Sequence, residues 1–198
     1  MTVLELLQKN RSYRGFDEGF RFTREQLERY VDGTRYTASS VNKQPLRYYL
    51  AYRPEQLRRI QPLTGWARAL PQMTLPKPGH CPTAFIVICQ DTALAPDLAR
   101  YQKDVGIAAE AILLAAVEEG LGGCMIGNFS PERIAQALGL AQELRPMLLV
   151  ALGRPDETVR LCEVGPDGST DYYRDEAGVH YVPKRALKDV LIPDQEGE

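Results

Sequence analysis

Residues 101–129 read YQKDVGIAAEAILLAAVEEGLGGCMIGNF, and between Val105 and Val117 only Gly106 and Glu110 interrupt the apolar residues. A helix over this run is apolar nearly all the way round, so most of its faces must be buried. It is too short for a membrane span, which takes roughly 20 apolar residues. Lys103, Asp104, Glu118 and Glu119 close it at both ends. The run is therefore expected in the core. Gly120, Gly122 and Gly123 end it, and CMIGNF follows as a short strand or turn left open at Gly127. Small residues there let a flat ligand approach main-chain N–H groups.

The chain has 198 residues, 44% of them apolar, and a formal net charge of -2. That suffices for one sizeable core, and one domain over residues 1–198 is expected. With 24 basic residues against 26 acidic ones, no overall basic character favours nucleic acid. Cys81, Cys89, Cys124 and Cys162 form no CxxC pair, so neither a disulfide framework nor a zinc site is indicated. His80 and Cys81 are the one His/Cys neighbour pair, too little for a metal centre. Met1 opens straight into VLELLQKN without a basic leader or cleavage site, which predicts the reducing cytoplasm and no membrane partner.

Along the chain, residues 3–9 predict a short helix with Val3, Leu4, Leu6 and Leu7 on its apolar side. Arg11, Ser12 and Arg14 follow within four residues, either a solvated basic turn or a guanidinium fork for a phosphate or carbonyl-rich edge. Thr23 and Gln26 have capping-box spacing and open a helix to about Gly33. Ser39, Ser40, Asn42 and Gln44 lie directly before a predicted strand, LRYYLAY, either as a self-satisfied loop or as neutral donors facing a heteroaromatic ligand. Pro54 opens a short helix.

Residues 61–83 carry Pro62, Pro71, Pro76, Pro78 and Pro82, a surface excursion or lid with room for only a short helix at 66–70. Trp66 within it is a packing anchor or a cover for a ligand. AFIVICQ and PMLLVALG are continuous apolar runs, hence buried strands, with a helix opened by Ser130 and Pro131 between them. Glu132 and Glu143 are taken as surface charges. A hairpin is expected at 171–182, turning at 176–178, followed by Lys184 and Arg185, a solvated basic pair or a phosphate clamp. The last residues, 192–198, should fray.

There is no GxSxG, GxGxxG, Walker loop or HExxH, and His80 and His180 are the only histidines for a triad. Any chemistry is expected from a cofactor. NRSYRGF, ASSVNKQP, DVGIAAEAILLAAVEEGLGGCMIG, GRP and VPKRALKDVL occur in that order along nearly the whole chain. In that order and spacing the sequence resembles the nitroreductase family of FMN-dependent oxidoreductases.

The resemblance implies an α+β fold, a central, mainly antiparallel sheet flanked by helices, in an intertwined homodimer with FMN at the subunit interface. It implies that Arg11, Ser12 and Arg14 hold the phosphate, ribityl chain and pyrimidine edge, with Arg14 stabilising the charge that reduction places there. Ser39, Ser40, Asn42 and Gln44 match the loop that reaches the flavin from the partner subunit. Met125, Ile126, Gly127 and Asn128 match the segment passing one face of the ring, with the Gly127 N–H aimed at N5. Lys184 and Arg185 match the C-terminal phosphate clamp, and Trp66 falls where the family shapes its substrate pocket. No protein catalytic residue is required, since hydride enters and leaves at N5. NAD(P)H is the implied co-substrate, and nitroaromatics, quinones or similar flat molecules are the implied acceptors, in ping-pong order. The scaffold also admits a flavin-binding sensor without turnover, or a specialised flavin enzyme. Asn10, Lys43 and Leu46 depart from the family pattern and bear on donor and acceptor choice.

Overall fold

The structure, a computed structural model, describes residues 1–67, 70 and 73–193. Two compact units divide it: Met1–Ala67 with Thr74–Asp156, and a second whose described residues are Leu70, Met73 and 157–193.

The first unit is built on four strands, β1 (Leu46–Ala51), β2 (Ala84–Asp91), β3 (Gly122–Ile126) and β4 (Leu144–Gly153), in the order β1-β2-β4-β3. Every pairing is antiparallel. Side chains of β2 explain why its sequence does not alternate in polarity. Ala84, Ile86 and Ile88 enter one core, Phe85, Val87 and Cys89 the other, so both faces are covered. Each buried Ile or Phe contributes roughly 1.5–3 kcal/mol.

The first core is closed by α2 (Arg24–Thr34) and α4 (Gln102–Glu118). Val105, Ala108, Ala109, Ile112, Leu113 and Ala116 of α4 pack there, confirming the central helix as core. Its remaining face is open, with Gly106 and Ile107 exposed and Glu110, Ala111 and Leu114 half-buried. Asp104 also departs from the expectation that it merely closes the run: it is 5% exposed. Thr23 accepts from the Gln26 N–H at 3.2 Å. The expected capping box closes only on that side, because the Gln26 amide turns to Tyr30 and to Glu119 at the end of α4. Tyr30 and Arg29 join it on Glu119, at 2.7 and 3.0 Å, and so fasten α2 to α4. Burial, aided by Glu119, pushes the Tyr30 phenol well above its usual range.

On the other face, α3 (Pro54–Ile60) and α5 (Pro131–Leu138) cover the second core through Ile60 and Ile134. The Ser130 side chain caps α5, accepting from the Arg133 N–H. The N-terminal α1 (Val3–Lys9) has its own capping box through Thr2 and Glu5, but buries no residue. Val3, Leu4 and Leu7 stand exposed.

The second unit pairs β5 (Val159–Glu163) in parallel with β7 (His180–Lys184), and β6 (Tyr173–Arg174) antiparallel to β7. The β6–β7 hairpin turns through Gly178 at φ 81 as the sequence suggested. β5 was not foreseen, although Gly165, Pro166, Asp167 and Gly168 just after VRLCE are a turn signal that could have marked its end. Arg174 pairs with Glu157, both nearly buried, and His180 packs edge-on against Tyr172. A short α6 (Leu187–Val190) follows. Of the proline-rich excursion, residues 68, 69, 71 and 72 lie outside the described residues, and so do 194–198 of the tail expected to fray. No helix among the described residues is long and apolar enough to cross a membrane.

Candidate functional site

Chain topology strings several candidate residues along β3. Ser12 bridges Gly123 in parallel, and the Tyr13 N–H donates to the Gly123 carbonyl at 3.0 Å. The N-terminal basic motif thus runs beside the start of this edge strand. Gly123 also lets β3 lie close on β4 and α4, since a Cβ there would strike the Ala151 carbonyl oxygen and come within 2.7 Å of Leu113. Asn10 donates to Glu110 of α4 at 2.9 Å, fixing the end of α1 over the long helix.

Arg11 donates through Nη2 to the Leu7 carbonyl at 2.7 Å, while its Nε is buried without a partner among the described residues. Partial burial lowers its pKa, and Tyr13 and Glu110 pull it back up. Arg14 is only 9% exposed and reaches the Ser12 carbonyl at 3.3 Å. The Arg11 guanidinium, with its buried unsatisfied N–H, has spare capacity for an anionic or carbonyl-bearing ligand.

At the far end of β3, about 13 Å along the strand from Gly123, lies Gly127. Met125 is exposed, whereas the Ile126 side chain is 3% exposed in the second core, so Ile126 offers a ligand only its main chain. Nothing stands within 4 Å of a Cβ built on Gly127. The Asn128 carbonyl accepts the Gly65 N–H at 2.7 Å, and Thr64 bridges Phe129. Trp66 donates to Thr64 Oγ1 at 2.8 Å and packs on the second core, as Phe129 does. The tryptophan is therefore both an anchor and a neighbour of the open β3 exit. Cys124 is a packed thiol, 5% exposed in the same core.

Ser39, Ser40, Asn42 and Gln44 do not join this group within one chain. They precede β1, at the opposite edge of the sheet, three strand spacings or roughly 14 Å away. Sequence reading missed Asp104 here: it accepts from the Ser39 hydroxyl at 2.6 Å and from the Ser40 N–H at 3.0 Å. A carboxylate at the head of an apolar helix was the available signal. A cavity of 190 Å³ opens behind the loop, lined by Thr34, Ser39, Gln44, Tyr48 and Asp104 among others. None of the candidate residues lines a larger hollow of 510 Å³ at β1, walled by Tyr48, Tyr49, Tyr52 and Arg24. Lys184 ends β7, Arg185 follows it, and both are exposed in the second unit.

Gly65 was also missed, because its need for a missing side chain arises from Asn128, 63 positions away. His80 pairs with Asp156 at 2.8 Å, and no disulfide joins the four cysteines.

Residues 7–154 match the family model described as the nitroreductase family. The chain belongs to the nitroreductase family. A relative from Methanothermobacter thermautotrophicus, provisionally named NADH dehydrogenase/NAD(P)H nitroreductase, is 26% identical over 161 residues, covering 79% of each chain. Among solved structures, a nitroreductase family protein from Streptococcus pneumoniae superposes with TM-score 0.67 at 16% identity, covering 84% of this chain and 96% of its own. A provisionally named nitroreductase from Exiguobacterium sibiricum, solved in complex with FMN, gives 0.66 at 17% identity, covering 79% and 90%. These structures share the nitroreductase fold with this chain. The matched span takes in the basic motif, the 39–44 loop, α4 and the β3 exit, and ends before Lys184 and Arg185.

Proposed function

We propose that this nitroreductase-family chain is an NAD(P)H-dependent FMN oxidoreductase, acting as a homodimer in the cytoplasm on nitroaromatic, quinone or similar flat acceptors in ping-pong order. The observation carrying the reading is the pairing of the basic motif with the start of β3, with the open Gly127 at its other end. It sets the backbone of the basic motif beside Gly123, about 13 Å along the strand from the bare main chain at Gly127, which supports a ligand with an anionic tail and a flat ring.

FMN held there would supply two-electron chemistry, the means for hydride transfer from NAD(P)H to the acceptor. Arg11 and Arg14 supply charge-assisted donors, and Arg11 Nε, buried and unpartnered, fits a group with acceptor oxygens. Gly127 leaves main-chain atoms accessible, and Trp66 shields the far side of the β3 exit from water. Asp104, Ser39, Asn42 and Gln44 would belong to the site of a second copy, since their loop stands at the other sheet edge. Lys184 and Arg185 are proposed as a phosphate clamp, within a single FMN-binding domain of 1–198.

Dimerisation is supported by two apolar surfaces that one chain leaves open: Ile107 with Leu114 on α4, and Val3, Leu4 and Leu7 on α1. Apolar surface of this kind is what a subunit interface would cover.

An anaerobic absorbance titration of the purified protein tests the reading. The oxidised flavin band should bleach with NADH or NADPH and return on adding a quinone or nitroaromatic, and initial-rate plots should give parallel lines. A yellow protein that stays oxidised under excess donor would support a flavin-binding protein without turnover. Absence of FMN binding would sink the proposal.

A further inference from the structure

Three of the four non-glycine residues with positive φ among the described residues, Val41, Asn42 and Gln44 at 49, 51 and 52, lie in one exposed loop. Val41 is β-branched and 71% exposed, so neither its side chain's packing nor its type favours this backbone. Strain of this kind persists only where the surroundings over-determine it.

Hydrogen bonds running back to one buried carboxylate supply that constraint. Asp104 accepts from the Ser39 hydroxyl at 2.6 Å and from the Ser40 N–H at 3.0 Å. Ser39 Oγ in turn accepts the Gln44 N–H at 3.0 Å, and the Gln44 amide donates to Asn42 Oδ1 at 2.9 Å. The chain Asp104, Ser39, Gln44, Asn42 is unbroken. Its root sits in the first turn of α4, where the helix N-terminus favours a negative charge. A rigid helix therefore dictates the shape of a loop whose side chains have no core of their own.

We infer that Asp104 is a positioning residue for the flavin site: it holds the 39–44 loop in its left-handed shape, so that the amides of Asn42 and Gln44 are oriented before the cofactor arrives. The inference rests on the FMN reading above and adds to it a residue that never touches the flavin. Loop ordering is met by the fold rather than at binding, which raises affinity by preorganisation.

The test compares wild type, Asp104→Ala, Asp104→Asn and the double variant Asp104→Ala with Val41→Gly. Two quantities are read: the FMN dissociation constant by flavin fluorescence, and amide hydrogen exchange of Ser40 and Gln44 in flavin-free protein. Asp104→Ala should lose protection at both amides and bind FMN roughly ten- to hundredfold more weakly, as expected for lost charge-assisted hydrogen bonds. Asp104→Asn keeps one acceptor oxygen and should fall between. Adding Val41→Gly to Asp104→Ala should restore part of the affinity, because glycine adopts positive φ without a Cβ penalty. A carboxylate that only stabilised α4 would gain nothing from that glycine. Unchanged exchange and affinity in Asp104→Ala, or no recovery with Val41→Gly, overturns the inference. Should Asp104→Ala not fold, Asp104→Asn carries the comparison, and wild-type behaviour there overturns it equally. A wild-type protein that binds no FMN removes the functional reading and this inference together, whereas one that binds FMN and is indifferent to Asp104 removes the inference alone.

Discussion

The Gly65 N–H donates to the Asn128 carbonyl at 2.7 Å, and the Asn128 side chain occupies the space where a Cβ on Gly65 would stand. The proline-rich excursion is thereby pinned to the β3 exit. The atoms in the way, Asn128 Nδ2 and Cγ, belong to a short, movable side chain. Gly65→Ala is therefore expected to swing the Asn128 amide aside at a stability cost below about 1 kcal/mol, read by urea denaturation. The acceptor KM should change while the midpoint of unfolding barely moves. A large loss of stability would mean that the excursion, not the amide, had yielded.

Gly123 gives the opposite outcome. A Cβ there meets the Ala151 main chain, which cannot retreat without opening the sheet, and the side chains of Leu113 and Leu152 in the packed core. Gly123→Ala should cost about 3 kcal/mol. It should also detach the Ser12 bridge, so that FMN affinity falls along with stability. Thermal unfolding like that of wild type would contradict this packing account.

Ile107 is 42% exposed on the open face of α4, beside half-buried Glu110 and Leu114. Ile107→Glu places a charge in the surface proposed to meet a second copy, and desolvating that charge is costly. Sedimentation velocity should show a dimer for wild type and a shift toward monomer for the variant. A wild-type monomer at micromolar concentration would count against the dimer.

Glu132 opens α5 and is held far below the usual carboxylate range, at about 2, by its own main-chain N–H, then by the Arg145 guanidinium at 2.6 Å and the Ser130 hydroxyl. Because the folded value is depressed, its contribution is complete above the unfolded value of about 4.5 and is lost as pH falls toward 2. The side chain is fully exposed, so the energetic share is small. Carbon-detected NMR titration should place its midpoint near 2, and Arg145→Ala should raise it. An unshifted midpoint in that variant would remove the ion pair from the explanation. Glu132 is thus a surface charge with a fixed partner.

Much of this protein was legible in its sequence because local chemistry decides it. The apolar run from Val105 to Val117 had to be a buried helix, and AFIVICQ had to be a strand covered on both faces, since the composition leaves no polar side for either. Caps at Thr23 and Ser130 need only residues three positions away. The order of NRSYRGF, ASSVNKQP and the glycine-ended helix identified the family before any distance was known.

Tertiary structure alone decided which of those motifs meet. Ser12 is joined to Gly123 across 111 positions and Ser39 to Asp104 across 65, and no periodicity encodes a pairing of that range. It also separated the 39–44 loop from the β3 exit by the width of the sheet, turned Asp104 from a helix-end charge into the anchor of a strained loop, and set the Asn128 side chain against Gly65. The physical reason is common to all of them: a residue type fixes what a side chain can donate, accept or bury, but the fold fixes what stands opposite.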